Sequence, residues 1–171
     1  MFNKKVAAVV LGVALSVTAA QSVFAASPGS ASNVSVKKAQ HSAWTEQTTV
    51  LKTQLESLRT QQKSLAVDIK ALHVSNKSAR KGIAKEQKAA IKASLRDLAQ
   101  QMKTIHASIE SLRAQKQAQW LQLKEAKKAG QTEVGVAALE QIVSLKGQII
   151  QAKQSVLSLQ QTLQQALQAK I

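Results

Sequence analysis

Residues 44–72 read WTEQTTVLKTQLESLRTQQKSLAVDIKAL, and mostly apolar residues recur along this stretch at alternating steps of four and three. The series consists of Trp44, Thr48, Leu51, Leu55, Leu58, Gln62, Leu65, Ile69 and Leu72. This heptad spacing places the side chains on one stripe of a helix, as in helices that pack side by side. The pattern fades at residues 73–76, His-Val-Ser-Asn. The sequence therefore predicts a first helix over about 37–74 with a turn at its end.

A second stripe of the same kind follows downstream. It consists of Ile91, Leu95, Leu98, Met102, Ile105, Ile109 and Leu112. Continuing in register leads to Lys116 and Gln119, whereas the next apolar residues are Trp120 and Leu123, an offset typical of a stutter in the supercoil. The second helix is predicted over about 83–128. Gly130 can adopt the left-handed conformation that ends it, and Thr132 can cap the helix that follows.

The third stripe is wider than the first two. It consists of Leu139, Ile142, Leu145, Ile149, Val156, Leu159 and Leu163, flanked by Ile150, Leu157 and Leu167. This width predicts a helix over about 132–170 that touches two neighbours. Gly135 and Gly147 lie inside it, each costing about 1 kcal/mol relative to Ala. They indicate either a close approach between helices or a softer helix, and we favour the second interpretation.

Short connections make successive helices antiparallel. The fold class expected is all-α, an elongated antiparallel three-helix coiled coil or bundle without β-strands, formed by one domain over residues 37–171. The alternative is a pair of hairpins that meet in a dimer.

The N-terminus has the three parts of a secretory signal. Lys4 and Lys5 precede an apolar run over residues 6–20, and small residues lead up to Ala25. This order predicts a signal peptide over residues 1–25 that is cleaved near Ala25. The alternative, an uncleaved anchor, would need about 20 apolar residues. The small polar residues 26–36 are interpreted as a flexible spacer, and the mature chain is expected outside the cytoplasm, in the periplasm or secreted and associated with the cell wall.

Composition disfavours catalysis. The chain has no Cys and only three His, and the motifs of metal sites or glycine-rich phosphate loops do not occur in it. His41, His73 and His106 are far apart along the sequence and are interpreted as surface residues of helices. Trp44 and Trp120 are interpreted as packing residues rather than platforms for a ligand. The expectation is a binding protein, neither an enzyme nor the carrier of a cofactor or metal.

Positive charge dominates, with 24 Lys and Arg against 9 Asp and Glu. It is concentrated in residues 77–92, KSARKGIAKEQKAAIK, which hold one acidic residue, Glu86. The candidate site for an anionic partner consists of Lys77, Arg80, Lys81, Lys85, Lys88 and Lys92. The alternative is a solvated tip that keeps the coil soluble. Nucleic acid is disfavoured as a partner, because an export signal is predicted and the basic segment contains no aromatic residue for base stacking.

Within the basic segment, Ile83–Ile91 reads IAKEQKAAI and resembles the LTxxQ region of Spy/CpxP-type periplasmic proteins. The resemblance implies a small, exported, all-helical protein without Cys. It also implies an ATP-independent chaperone that dimerises into a thin, positively charged cradle.

Two functions follow as expectations. The first is an exported coiled-coil binding protein of the bacterial cell envelope that acts as an ATP-independent, chaperone-like protein for unfolded or acidic exported proteins. The alternative is a structural spacer of the envelope whose basic end binds anionic wall polymer or lipid headgroups. A homodimer is also expected, because heptad stripes this regular favour self-association.

Overall fold

The computed structural model describes the backbone of residues 33–169 and the side chains of residues 41–169. The predicted signal peptide and residues 26–32 of the predicted spacer lie outside the described residues, whereas residues 33–36 of that spacer are helical. Three helices form the described part: α1 (Asn33–Gly82), α2 (Lys85–Ala129) and α3 (Thr132–Gln168). At about 1.5 Å per residue, α1 alone is about 75 Å long. The all-α fold class is confirmed, and residues 33–169 contain no strand.

The helices run up, down and up. Two-residue connections join α1 to α2 and α2 to α3, so α2 is antiparallel to both of its neighbours. Two hydrogen-bonded pairs, Gln62 with Lys146 and Asn76 with Gln160, join α1 to α3 at the same separation of 84 residues. An equal separation at two levels shows that α1 and α3 are parallel and in register.

The third helix is the centre of the bundle. It packs closely against both α1 and α2, whereas the backbones of α1 and α2 stay farther from each other. Ile142, Ile149 and Leu167 of α3 are completely buried. Burying each such side chain contributes about 1.5–3 kcal/mol. The wide apolar stripe predicted for a helix with two neighbours is therefore confirmed.

The first helix is longer than the sequence pattern predicted. It continues through residues 73–76 to Gly82, so the predicted turn is wrong. The 4-3 alternation runs on from Leu72 through Asn76 and Ala79 to Ile83. Asn76 and Ile83 are buried and Ala79 is half-buried. We call the heptad stripe of each helix its seam. The polar residue Asn76 in the seam of α1 interrupts the apolar pattern without ending the helix.

The heptad register of α2 is also uninterrupted. Lys116, Gln119 and Leu123 are half-buried and Ala126 is buried, and they continue the 4-3 alternation from Leu112. Trp120 lies beside this seam and is 39% exposed. The predicted stutter is wrong, because the seam accommodates Lys116 and Gln119 rather than shifting to the next aromatic residue.

The turn between α2 and α3 depends on Gly130. Its φ of 68° is left-handed, a conformation that costs glycine nothing. The N–H of Gln131 donates to the carbonyl of Ala126 at 2.9 Å, and the N–H of Gly130 donates to that of Lys127. These bonds form a Schellman motif and confirm the predicted end of α2. The predicted cap by Thr132 is wrong, because Thr132 is already the first residue of α3 and Gln131 precedes it without a side-chain cap.

Among residues 33–169, no helix combines the length and the apolar character that crossing a bilayer requires.

Candidate functional site: a basic groove between two helices

A long groove separates α1 from α2 on the side of the bundle away from the main body of α3. We call it the α1–α2 groove. Four neighbouring cavities lie along it, each lined by side chains of both α1 and α2. Leu139, Val156 and Leu163 of α3 lie at its floor. The groove exists because α3 holds both helices while they stay apart from each other.

The walls of the groove are strongly basic. Ten Lys or Arg residues line the four cavities: Lys52, Arg59, Lys70, Lys77, Arg80, Lys103, Arg113, Lys124, Lys127 and Lys153. One carboxylate, Glu56, lines them, and it forms an ion pair with Arg59. Facing cationic walls raise the local concentration of anionic partners.

The middle of the groove brings together two histidines that are far apart in the sequence. His73 of α1 and His106 of α2 both line two adjacent cavities. Both side chains are exposed, as predicted for surface residues. Their proximity follows from the antiparallel register of α1 and α2, which the heptad spacing within each helix does not define.

A half-buried lysine, Lys153 of α3, adds to the positive charge in this region. Burial lowers the pKa of Lys153 below its ordinary value, and the positive charge of Arg113 lowers it further. Arg113 itself forms an ion pair with Glu110 on the same helix. An anionic group placed among Lys70, Arg113 and Lys153 would therefore relieve repulsion between cations that converge from three helices.

The two tryptophans line a single cavity at the other end of the groove, near the α2–α3 turn. Trp44 extends from α1 and Trp120 from α2. Trp44 lies against Gly135 of α3, where a Cβ atom would come within 2.6 Å of the indole ring. Trp44 is thus a packing residue, as predicted, and Gly135 permits close approach rather than merely softening α3. Nothing lies within 4 Å of a Cβ placed at Gly147, for which the earlier interpretation remains.

The predicted basic site divides into two parts. Lys77 and Arg80 line the α1–α2 groove. The other four members are exposed at the α1–α2 turn and along the first turns of α2, outside the lining of these four cavities: Lys81, Lys85, Lys88 and Lys92. We call these four residues the basic tip. The signal that sequence reasoning missed is the scatter of single Lys and Arg residues that α1 and α2 bring to facing walls.

Within the described residues, no three His, Asp or Glu side chains gather in a way that could hold a metal ion.

Comparisons of the chain with protein-family models, with curated proteins and with solved structures found no match.

Proposed function

We propose that this protein is an exported binding protein of the bacterial cell envelope that holds unfolded, acidic segments of other exported proteins in the α1–α2 groove. One observation carries the proposal: ten basic side chains and a single carboxylate line a long groove whose floor includes the apolar residues Leu139, Val156 and Leu163. In this proposal the protein is chaperone-like and uses no ATP, as the resemblance to Spy/CpxP-type proteins implies.

The groove combines the two attractions that an unfolded acidic segment offers. Exposed apolar side chains of the client would contact apolar residues of the groove such as Leu163 of α3 and Met102 of α2, which removes apolar surface from water. Carboxylates of the client would be drawn to the cationic walls, which steers encounter and accelerates association. Because the walls present separate charges rather than one shaped pocket, the groove would accept many sequences.

Light scattering of a reduced, unfolding client tests this proposal. Residues 26–171 should slow aggregation of an acidic client at low salt, and the effect should weaken as salt screens the groove. A groove variant, Lys70→Gln with Lys77→Gln and Lys103→Gln, should lose most of the suppression.

The matched control removes the same charge from the basic tip, through Lys81→Gln, Lys85→Gln and Lys88→Gln. This variant should suppress aggregation as the unaltered protein does. No suppression at any salt concentration, or equal loss in both variants, would contradict the proposal.

A second candidate rests on the basic tip. Its four lysines are exposed at one end of the rod, where Glu86 is the one acidic residue of the segment. This placement favours a structural role in which the tip binds anionic wall polymer or lipid headgroups and the coil acts as a spacer. Sedimentation with isolated cell wall or anionic vesicles distinguishes the two candidates. If the basic tip is the binding site, the tip variant should not bind the wall or the vesicles, and the groove variant should still bind them.

The expected homodimer stays a prediction. Sedimentation equilibrium at several protein concentrations checks it, and a mass equal to one chain at all of them would remove it.

A further inference from the structure

We propose that the cavity between Trp44 and Trp120 is a binding site for an unbranched aliphatic chain that carries an anionic head group. The inference rests on the geometry of this cavity and goes beyond the capture of unfolded proteins. It requires neither the export of the chain nor a chaperone function.

The cavity has the size and surface of a small-ligand site. Its volume is about 600 Å³, within the range of about 300–1,000 Å³ that such sites occupy. Besides the two indole rings, its lining has four leucines contributed by all three helices: Leu55, Leu121, Leu123 and Leu139. No other part of the described groove lining gathers both tryptophans with several leucines.

Two of the apolar groups at this cavity are exposed although they have buried neighbours. Trp120 is 39% and Leu121 is 66% exposed, and they are adjacent on α2 outside its packed seam. Exposed apolar side chains that border an apolar cavity enlarge the surface that it offers to an apolar ligand. Trp44, in contrast, packs against Gly135 of α3, so its indole ring forms one fixed wall of the cavity.

The charges around the cavity select the head group. Lys52, Arg59, Lys124 and Lys127 line it together with one carboxylate, Glu56, which is engaged by Arg59. Three lysines therefore remain for the head group of a ligand, and a carboxylate or a phosphate would complement them. A cationic head group would be repelled.

The same charges argue against a second copy of this chain as the occupant. The formal net charge of the chain is +15, so a second molecule would bring like charge to a cationic rim. An aliphatic anion supplies the apolar length and the negative charge together.

Intrinsic fluorescence reads this site directly, because the chain has two Trp and no Tyr. The probe is dodecanoate below its critical micelle concentration, titrated into residues 26–171. We expect a saturable change in emission and a higher melting temperature, since a ligand of the folded state stabilises it. Trp44→Phe and Trp120→Phe, which leave one tryptophan each, should both still respond.

Two further probes separate chain from charge. Dodecyltrimethylammonium has the same chain with a cationic head, and hexanoate has the same head with a short chain. Both should bind at least about tenfold more weakly than dodecanoate, a difference of about 1.4 kcal/mol. Equal binding of the cationic probe would overturn the proposal, and so would the absence of a saturable response to dodecanoate.

Variants locate the head group. Lys124→Gln with Lys127→Gln should weaken dodecanoate binding about tenfold or more, which corresponds to one or two charge-assisted contacts. The matched control, Lys81→Gln with Lys85→Gln, removes the same charge at the far end of the rod and should bind as the unaltered protein does. Equal weakening in both pairs would assign the effect to net charge and contradict a local site.

The source of the ligand is decided by vesicles. A response to phosphatidylglycerol vesicles that is lost in the Lys124→Gln/Lys127→Gln variant would identify membrane lipid, and a response to monomeric dodecanoate alone would identify a free aliphatic acid.

Sedimentation during the titration should show an unchanged mass. If dodecanoate instead dissociates a dimer, a second copy is the occupant and the proposal fails. Dodecanoate binding without suppression of aggregation would remove the proposed function and leave this site standing.

Discussion

Gly135 and Gly147 lie in the same helix, but only Gly135 faces a ring. A Cβ at position 135 would meet two carbons of the Trp44 indole at 2.6 and 2.7 Å, whereas a Cβ at position 147 meets nothing within 4 Å. Gly147→Ala should therefore raise the free energy of unfolding by about 0.5–1 kcal/mol, the usual gain from Ala in a helix.

Gly135→Ala should not show this gain in stability, because the added Cβ would displace the indole ring of Trp44 from its position against α3. Chemical denaturation compares the two variants, and Trp44 emission in a Trp120→Phe background should shift to the red in Gly135→Ala alone. If both alanines stabilise equally and the emission is unchanged, the close approach has no energetic consequence.

Lys146 is a buried cation in the seam of α3. It is 8% exposed, and its Nζ donates to Oε1 of Gln62 at 3.0 Å. Burial lowers its pKa below the ordinary 10.5, and the charges of Lys116 and Arg59 lower it further. The unfolded chain therefore keeps this proton to a higher pH than the folded chain does. Between the lowered pKa of the folded state and about 10.5 the unfolded state binds more protons, so the free energy of unfolding should rise with pH across that window.

Lys146→Met tests this linkage. The variant should be more stable than the unaltered protein at neutral pH, because it no longer buries a charge. It should also show a shallower rise in stability between neutral pH and pH 10.5. Thermal unfolding at several pH values measures both effects. Lys63→Met, at an exposed position of α1, should keep the full rise, and a Lys146→Met variant that keeps it too would contradict the assignment.

In the seams of α1 and α3, polar residues recur at a regular interval of two heptads. Gln62 and Asn76 of α1 are two heptads apart, and so are their partners Lys146 and Gln160 of α3. Thr48, a further two heptads before Gln62, is completely buried. Polar residues in a coiled-coil seam specify register at a cost in stability. The fixed separation of 84 residues between partners is the register that these two pairs define.

The pair of Asn76 and Gln160 has an incomplete hydrogen-bond network. Nδ2 of Asn76 donates to the backbone oxygen and to Oε1 of Gln160, each at 2.8 Å, while Oδ1 of Asn76 is buried without a partner. A buried polar atom of this kind costs about 1–3 kcal/mol. Asn76→Leu with Gln160→Leu should therefore raise the melting temperature by about 2–8 °C.

The melting temperature should rise less in the single variant Asn76→Leu than in the double variant, because Oε1 of Gln160 then loses the hydrogen bond that Nδ2 of Asn76 donates. Circular dichroism measures the melting temperatures, and sedimentation reports whether the apolar seam associates once its polar pair is gone. A double variant less stable than the unaltered protein would show that the pair is a net stabilising contact.

These seam residues also explain how far the sequence could predict the helices. Apolar periodicity locates all three helices, and Gly130 marks the α2–α3 turn because its left-handed conformation has a local sequence signal. Asn76 and Lys116 are polar, so they conceal the continuation of α1 and the unbroken register of α2. The burial of Asn76 depends on its partner Gln160 in α3, which no local pattern reveals.

The candidate site was harder to predict than the helices for a related reason. The run of charge at residues 77–92 is visible in the sequence, whereas the ten basic residues of the groove are spread between Lys52 and Lys153. Nine of them lie on α1 and α2 and face one another only because these helices are antiparallel and held apart, and Lys153 is contributed by α3. The meeting of Trp44 and Trp120 depends on the same long-range register.

At the scale of the whole molecule, α3 holds the bundle together. It packs against α1 and α2 along their lengths, and it contributes to all three buried clusters of the core. The backbones of α1 and α2 do not approach each other as they approach α3. The α1–α2 hairpin is therefore a pair of walls that α3 positions rather than a stable unit by itself.

Residues 26–131, which lack α3, should consequently lose the fold and the groove together. Without α3, buried residues such as Leu55, Leu98 and Ile109 would have no partners among the α3 side chains that now cover them. Exposing three such side chains to water costs about 5–9 kcal/mol, which is comparable to the whole free energy of unfolding of a small protein. We expect the fragment to show reduced helicity and no cooperative melting in circular dichroism at low concentration, or to regain helix only on association. Adding a peptide of residues 132–169 should restore cooperative melting, because α3 supplies both interfaces. A monomeric fragment that melts cooperatively at the temperature of the intact protein would show instead that α1 and α2 stabilise each other, and that the groove between them can close.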